Sequence, residues 1–376
     1  KLTSQVGCLK LSIIPLIFHI NSISIRLRDY IMEAQNNKLR WGILATGSIA
    51  GSFAEGVLNS KTGQLVAVGS RSQESADKFA SQYGDIPNRH ANYQDLLDDS
   101  EVDAIYIATP HPMHKEWAVK AANSGKHILC EKPIGINESE AKEIIAAAES
   151  NDVFLMEAYM YRCSDQIQKI IDLIKDGAIG EVKSIEASFS FDIGDNPEGR
   201  HLNKSLAGGG ILDVGGYPMS LAGLVAGIKN GVSFSEPIEI KAVGHIGSTG
   251  VDEYTSAVVK FDGGITARLS CGVALDEPIN ASISGTKGRL FIPLPWKPSP
   301  QGGVTELHLY KSGDESPEVI NVSTEKYLYG AEADAVAEGL KQKKAIYPAM
   351  SIDDTLALMR SLDQWRNEIG LVYDGE

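Results

Sequence analysis

Residues 40–50 read RWGILATGSIA. A short apolar run stops at Ala45, a Thr-Gly-Ser turn follows, and a helical pattern runs on to about Leu58. A strand that turns within three residues into a helix is the first half of a βαβ unit. The turn has the layout of the dinucleotide fingerprint, with Ala45 in place of its first glycine and Ala50 in place of its last. In such a turn free N–H groups and the positive end of the helix meet a pyrophosphate. Gly47 is the key position, because a side chain there would block the backbone's approach. Thr46, Ser48 and Ile49 complete the expected contact. A plain turn would use the same residues, so the reading depends on the chain beyond it.

Strand-length apolar runs follow at 64–70, 103–109, 127–130 and 153–158, and helical patterns at 74–83, 114–123 and 138–150. Continuous apolar strands alternating with helices predict a parallel sheet covered on both faces. The last of these helices carries its own start signal. Asn137 is positioned to cap it, Glu140 stands at the capping-box position, and Ala141, Ile144, Ile145 and Ala148 form one apolar face. Beyond 158 the period changes. After a helix over 164–176, alternating runs at 181–191, 238–246, 254–261, 265–273 and 279–285 predict a mostly antiparallel sheet. Helices at 330–342 and 353–369 close the chain. The expected fold is α/β plus α+β. A doubly wound Rossmann domain spans 38–158, and an open, mostly antiparallel sheet with helices on one face spans 159–376, its last helices able to pack back on the first domain.

Composition narrows the partners. A net charge of -14 with no offsetting basic block argues against nucleic acid, and 43% hydrophobic with 22% charged residues fits a soluble protein with a real core. Cys8, Cys130, Cys163 and Cys271 are scattered without C-x-x-C spacing, so they read as reduced thiols of a cytoplasmic protein. Residues 1–37 are set apart from the fold. Their apolar, Ser-rich stretch reads as an upstream or fragment-boundary segment ahead of Met32, with an organellar or secretory leader as the alternative. It is too short and interrupted to span a bilayer.

The second strand ends in Gly69-Ser70-Arg71-Ser72, where an NAD site usually presents an acid for the ribose. Hydroxyls with a guanidinium suit a phosphate instead, so NADP is expected over NAD. The third strand ends in Thr109-Pro110-His111-Pro112-Met113-His114. No third ligand accompanies the two histidines, so the segment is read as lining the cofactor groove and no metal is expected. The fourth strand ends in HILCEKPIG (127–135), which puts Glu131 and Lys132 at the ligand-binding end of the sheet, with Pro133 able to turn the lysine into the cleft. Further on, LAGGGILDVGGY (206–217) sets Asp213 and Tyr217 four apart on one helical face, with Gly215, Gly216 and Pro218 interrupting the helix around the tyrosine.

Six segments in order resemble the glucose–fructose oxidoreductase/inositol dehydrogenase (Gfo/Idh/MocA) family across roughly 39–373. They are the modified glycine turn, ATP (108–110), EKP (131–133), MEAYMYR (156–162), GGGILDVGGY (208–217) and SGTKGRLFIP (284–293). MEAYMYR and the tyrosine at 217 are most similar to the branch of dimeric dihydrodiol dehydrogenases and fungal NADP-dependent D-xylose dehydrogenases.

The resemblance implies an NADP-dependent oxidoreductase acting on a secondary alcohol or hemiacetal of a sugar or cyclic diol. It also implies a homodimer through the open sheet. Lys132, Asp213 and Tyr217 would surround the substrate hydroxyl. Tyr217 would exchange the proton, and Lys132 would lower its pKa and touch the cofactor ribose. Met160, which stands where the branch commonly has Trp, Arg162 and Trp296 are expected to line the substrate pocket. The alternatives are a non-catalytic dinucleotide-binding regulator and a glycoside-cleaving enzyme with transient redox chemistry.

Overall fold

The computed structural model describes residues 38–373, and the readings made for residues 1–37 lie outside them. Strands β1 (Leu39–Leu44), β2 (Gly63–Gly69), β3 (Asn88–His90), β4 (Ala104–Ile107), β5 (His127–Glu131) and β6 (Leu155–Ala158) form one sheet in the order β3-β2-β1-β4-β5-β6. All of its pairs are parallel. Helices α1 (Ser48–Leu58), α2 (Gln73–Gln82), α3 (Tyr93–Leu97), α4 (His114–Asn123) and α5 (Glu138–Ser150) cover it. The strand order reverses between β1 and β4, so the crevice at their carboxyl ends is the topological switch point where such sheets bind ligands. At α5 the Asn137 side chain accepts the Glu140 N–H at 2.9 Å, while Glu140 reaches back to the Ile136 N–H at 3.0 Å.

The second sheet has eight strands, ordered β14-β13-β12-β11-β7-β10-β9-β8. These are β7 (Val182–Ser190), β8 (Pro237–Ile246), β9 (Asp252–Phe261), β10 (Thr266–Gly272), β11 (Ala281–Gly285), β12 (Gly288–Ile292), β13 (Gly303–Lys311) and β14 (Glu318–Thr324). Only β7 and β10 pair in parallel. Helices α6 (Asp165–Lys175), α7 (Gly216–Asn230), α8 (Leu328–Gln342) and α9 (Ile352–Glu368) complete the chain. One face of the sheet, with Ala257, Val259, Leu269 and Ile283, is buried. The other leaves Val243, Val258 and Val304 exposed at 77%, 58% and 60%.

The last two helices pack on the parallel-sheet half. A side chain at Gly56 of α1 would meet the Tyr329 Cβ of α8 at 2.5 Å. From α9, Asp363 accepts the Glu138 N–H at 2.9 Å. The run Lys204–Asn230 is long and apolar enough to cross a membrane by length and composition, but 94% of its apolar 18-residue stretch is buried inside the protein, as a core helix is.

Candidate active site

The turn after β1 keeps the fingerprint's shape without its first glycine. Ala45 has a φ of 87°, a left-handed conformation that costs a residue with a Cβ about 1–2 kcal/mol. Its N–H is tied to the Gly69 carbonyl at 3.0 Å. Gly47 is the extended N-cap of α1, offers no side-chain cap, and has nothing within 4 Å of where a Cβ would stand. Open space therefore faces the first-turn N–H groups, beginning at Ser48 and Ile49, as a pyrophosphate requires.

The Thr46 and Ser70 hydroxyls lie 3.3 Å apart and join this turn to the end of β2. Arg71 is exposed beside them. The Ser72 hydroxyl expected to share its task caps α2 instead, accepting the Ser75 N–H at 3.2 Å. Beyond β4, Pro110 opens a short 3-10 turn, and the Thr109 Oγ1 is buried without a hydrogen-bond partner among the described residues. A buried hydroxyl left for a ligand at the switch point, an open glycine cradle and an exposed guanidinium together fit a nicotinamide dinucleotide.

The two histidines of the next loop serve the protein. His111 Nδ1 lies 3.1 Å from the Ala207 carbonyl and Nε2 4.0 Å from Asp213 Oδ1, and burial pushes its pKa down to about 3. His114 was expected in the cofactor groove. It is instead fully buried, its nitrogens 2.7 Å and 2.8 Å from the Pro133 and Thr109 carbonyls, where it braces the two loops. Carbonyls at both nitrogens favour the protonated ring, but desolvation outweighs them and lowers its pKa. Glu131 is also buried. It accepts the Tyr106 hydroxyl and, at 3.3 Å, the Lys132 N–H, and burial raises its pKa. Its carboxylate thus anchors the backbone of Lys132.

The Lys132–Pro133 bond is cis. The Lys132 ammonium donates to the Asp213 carbonyl at 2.6 Å, lies 3.7 Å from Asp213 Oδ1, and stands 5.3 Å from the centre of the Tyr217 ring. Asp213 Oδ1 also accepts Arg200 Nη1 at 2.9 Å, and His201 Nε2 is 3.8 Å from Oδ2. Burial opposes charge on Asp213, but Lys132 and Arg200, with His111 and His201, outweigh it and hold the carboxyl well below the usual range.

The segment carrying Asp213 and Tyr217 is not an interrupted helix. Ile211–Gly215 form one wide π turn that runs directly into α7. Such turns recur at functional sites. Asp252 of β9 sets its start, accepting the Ile211 N–H at 2.7 Å. Gly209, at a φ of 116°, has no room for a side chain beside that carboxylate, and Gly216 lies against the Tyr159 hydroxyl.

Tyr217 is 4% exposed and packs against Tyr159, Phe189 and Trp296. Its hydroxyl donates to Met160 Sδ at 3.4 Å. Burial, reinforced by nearby carboxyls and phenols, pushes its pKa well above the ordinary phenol value. The expectation that Lys132 lowers it is therefore corrected, since the ammonium faces the ring and hydrogen-bonds to Asp213.

Two expected pocket residues change role. Arg162 is fully buried and donates to the Pro348 carbonyl at 2.6 Å and to Asp354 at 3.2 Å, so its guanidinium is held in the core. Trp296 is 1% exposed, its Nε1 on the Ser188 carbonyl at 2.9 Å, and backs Tyr217 without covering the cleft. Sequence reasoning missed Arg200 and His201. Their signal was an Arg-His pair with six residues between it and the Gly208–Gly210 turn.

Two family models match the chain. An oxidoreductase family with an NAD-binding Rossmann fold covers residues 39–159, and a GFO/IDH/MocA C-terminal domain covers 167–291. The chain belongs to the GFO/IDH/MocA oxidoreductase family. Relatives of this GFO/IDH/MocA protein include trans-1,2-dihydrobenzene-1,2-diol dehydrogenases. The one from Mus musculus is 33% identical over 341 residues, 89% of this chain and 98% of the mouse protein. The Xenopus laevis protein is 34% identical over 89% of this chain and 99% of its own length. Among solved structures, a 3-ketoreductase from Actinomadura kijaniata in complex with NADP and TDP-benzene aligns with a TM-score of 0.76 and 25% identity, covering 89% of this chain and 98% of that one. An aldose-aldose oxidoreductase from Caulobacter crescentus complexed with glycerol aligns at 0.76 and 26%, covering 88% and 97%.

Proposed function

We propose that this oxidoreductase moves a hydride between NADP and a secondary hydroxyl or hemiacetal carbon of a sugar or cyclic trans-diol. The observation that carries the reading is the meeting of Lys132, Asp213 and Tyr217 beside the carboxyl end of β5, where the ammonium lies 3.7 Å from the carboxylate and 5.3 Å from the phenol ring. The names of the relatives support the substrate class, since they act on a dihydrodiol or are described as aldose or keto-group enzymes. Exposed Arg71 after β2 supports NADP, because a guanidinium pairs with a phosphate where an NAD site would carry an acid.

The dinucleotide supplies the hydride donor or acceptor when bound. Asp213 holds Lys132 in place through its carbonyl and carboxylate, and the ammonium polarises the substrate oxygen. Tyr217 passes its proton to that oxygen during reduction and receives it back during oxidation. With its phenol held neutral by burial, the site stands ready as an acid. The open face of the eight-stranded sheet, with Val243, Val258 and Val304 exposed, supports a homodimer through that face.

Net NADPH change followed by absorbance across a panel of aldoses and trans-diols tests the reading. Turnover with at least one member, together with loss of preference for NADPH over NADH in Arg71→Ala, is the expected result. Cofactor binding without turnover across the panel would point to a regulator. Product formation without net NADPH would point to transient redox chemistry.

A further inference from the structure

The segment between β7 and α7 places a second cation at the site. Exposure falls along a line into the protein. The Arg200 side chain is 48% exposed, Lys132 14% and Asp213 3%. Arg200 therefore stands outermost on a carboxylate that it shares with Lys132, and a molecule moving toward the ammonium passes the guanidinium.

Arg200 is held there by the backbone. The His201 carbonyl accepts the Gly209 N–H at 2.8 Å, and the Asn203 carbonyl accepts the Gly208 N–H at 3.1 Å. A side chain at Gly208 would come within 2.6 Å and 2.7 Å of the His201 and Arg200 carbonyl oxygens. The glycine run thus does more than start the π turn, because it lets the Arg200 segment lie flat on the element that carries Asp213.

One of Arg200's nitrogens is committed. Nη1 donates to Asp213 Oδ1 at 2.9 Å, while Nε and Nη2 have no protein acceptor among the described residues. A guanidinium with one edge pinned and the other free offers two donors in a fixed fork. Such a fork can hold one hydroxyl oxygen beside the reacting carbon with two charge-assisted donors. Because Asp213 is a single carboxylate between two cations, this mouth draws electron-rich oxygens and disfavours cationic ligands.

We propose that Arg200 is a substrate-recognition residue that grips the hydroxyl next to the reacting one, so that the site selects vicinal diols, sugars included, over simple alcohols. The inference rests on the reading of the site as an alcohol–carbonyl oxidoreductase. Its test does not require turnover. trans-Cyclohexane-1,2-diol and cyclohexanol are titrated into the protein–NADPH complex, and binding is read from NADPH fluorescence in wild type, Arg200→Gln and Arg200→Lys.

The expected result is a loss of diol affinity of about 10-fold or more in Arg200→Gln, as for a lost charge-assisted hydrogen bond, with cyclohexanol changed by less than about threefold. Arg200→Lys keeps a cation on Asp213 but lacks the fork, so it loses diol affinity as well. NADPH affinity and the thermal midpoint stay near wild type in both variants. Equal losses for diol and cyclohexanol, diol binding unchanged in both variants, or loss of NADPH affinity would overturn the proposal. Absence of turnover with every alcohol, alongside diol-selective binding that depends on Arg200, would sink the redox reading while leaving Arg200 as the residue that recognises the vicinal diol.

Discussion

The Lys132 ammonium donates to the backbone oxygen of Asp213 at 2.6 Å and lies 3.7 Å from the carboxylate of the same residue. These two elements are 81 residues apart, one ending a strand of the parallel sheet and the other forming the π turn ahead of α7. The contact joins the end of the parallel sheet to the start of α7. Two of the three ammonium protons are left for other acceptors.

Lys132→Met should therefore cost turnover more than cofactor binding. We expect turnover to fall at least ~10²-fold, the range for loss of a positioned proton-transfer or polarising group, with NADPH affinity nearly intact. Tyr217→Phe should give the same pattern, because the hydroxyl's partner in the resting protein is a thioether, Met160. Single-turnover kinetics and NADPH fluorescence titration check both. Near-normal turnover in the two variants would remove them from the chemistry.

Arg162 and Asp354 make a different prediction. Both side chains are at most 1% exposed, and each is the other's ion-pair partner at 3.2 Å. Arg162→Met leaves a buried carboxylate without its cation, a change that costs about 3–5 kcal/mol of stability. Arg162→Met combined with Asp354→Asn should cost less than the two single losses added together. Denaturant unfolding measures this. The KM values for NADPH and for the alcohol substrate should both stay near wild type in the folded fraction, whereas a cofactor-side or substrate-side arginine would raise the one or the other.

Why Arg162 misled the sequence reading is instructive about what sequence can carry. The alternation of apolar strands with helices is local, and it predicted five of the six strands of the parallel sheet. It missed β3, whose three residues Asn88, Arg89 and His90 are polar and only half buried at the sheet edge. The partner of Arg162 lies 192 residues away, beyond any local pattern. The π turn at Ile211–Gly215 likewise depends on Asp252, 41 residues further on. The neutral state of Tyr217 depends on Tyr159, Phe189 and Trp296, which come from three separate parts of the chain. Residue types at the site were legible one by one, but their charge states depend on burial, which is a property of the packed fold.

Ala45 offers a test in the opposite direction. Its φ of 87° is a conformation glycine adopts freely. Ala45→Gly relieves that strain but adds freedom to the unfolded chain, so the net gain should be about 0.5–1 kcal/mol. Ala45→Val, with a branched side chain in the same conformation, should lose stability and weaken NADPH binding. Equilibrium unfolding of the three proteins decides. A loss on Ala45→Gly would mean the methyl group contributes packing that outweighs the strain.

Glu157 couples this region to pH. It is 1% exposed, and its two oxygens accept the Ile134 N–H and the Thr355 hydroxyl, each at 2.9 Å. It thus ties the loop beyond Lys132 to α9. Burial is the larger effect and raises its pKa to about 7, against those two bonds. A carboxyl raised in the folded state holds its proton more tightly there than when unfolded. Its contribution is therefore fully present below about pH 4.3 and is lost as pH rises through 7, by at most about 4 kcal/mol. Asp252, also raised to about 7 by burial, adds a slope of the same sign. Asp213, whose pKa is lowered, loses its contribution only under stronger acid. The lowered pKa values of the buried His111 and His114 add a slope of the opposite sign, so Glu157 is read from a difference between two proteins. In urea unfolding between pH 5 and pH 8, the stability of wild type relative to Glu157→Gln should decline as pH rises. Parallel curves would show that Glu157 titrates alike in the folded and unfolded chain.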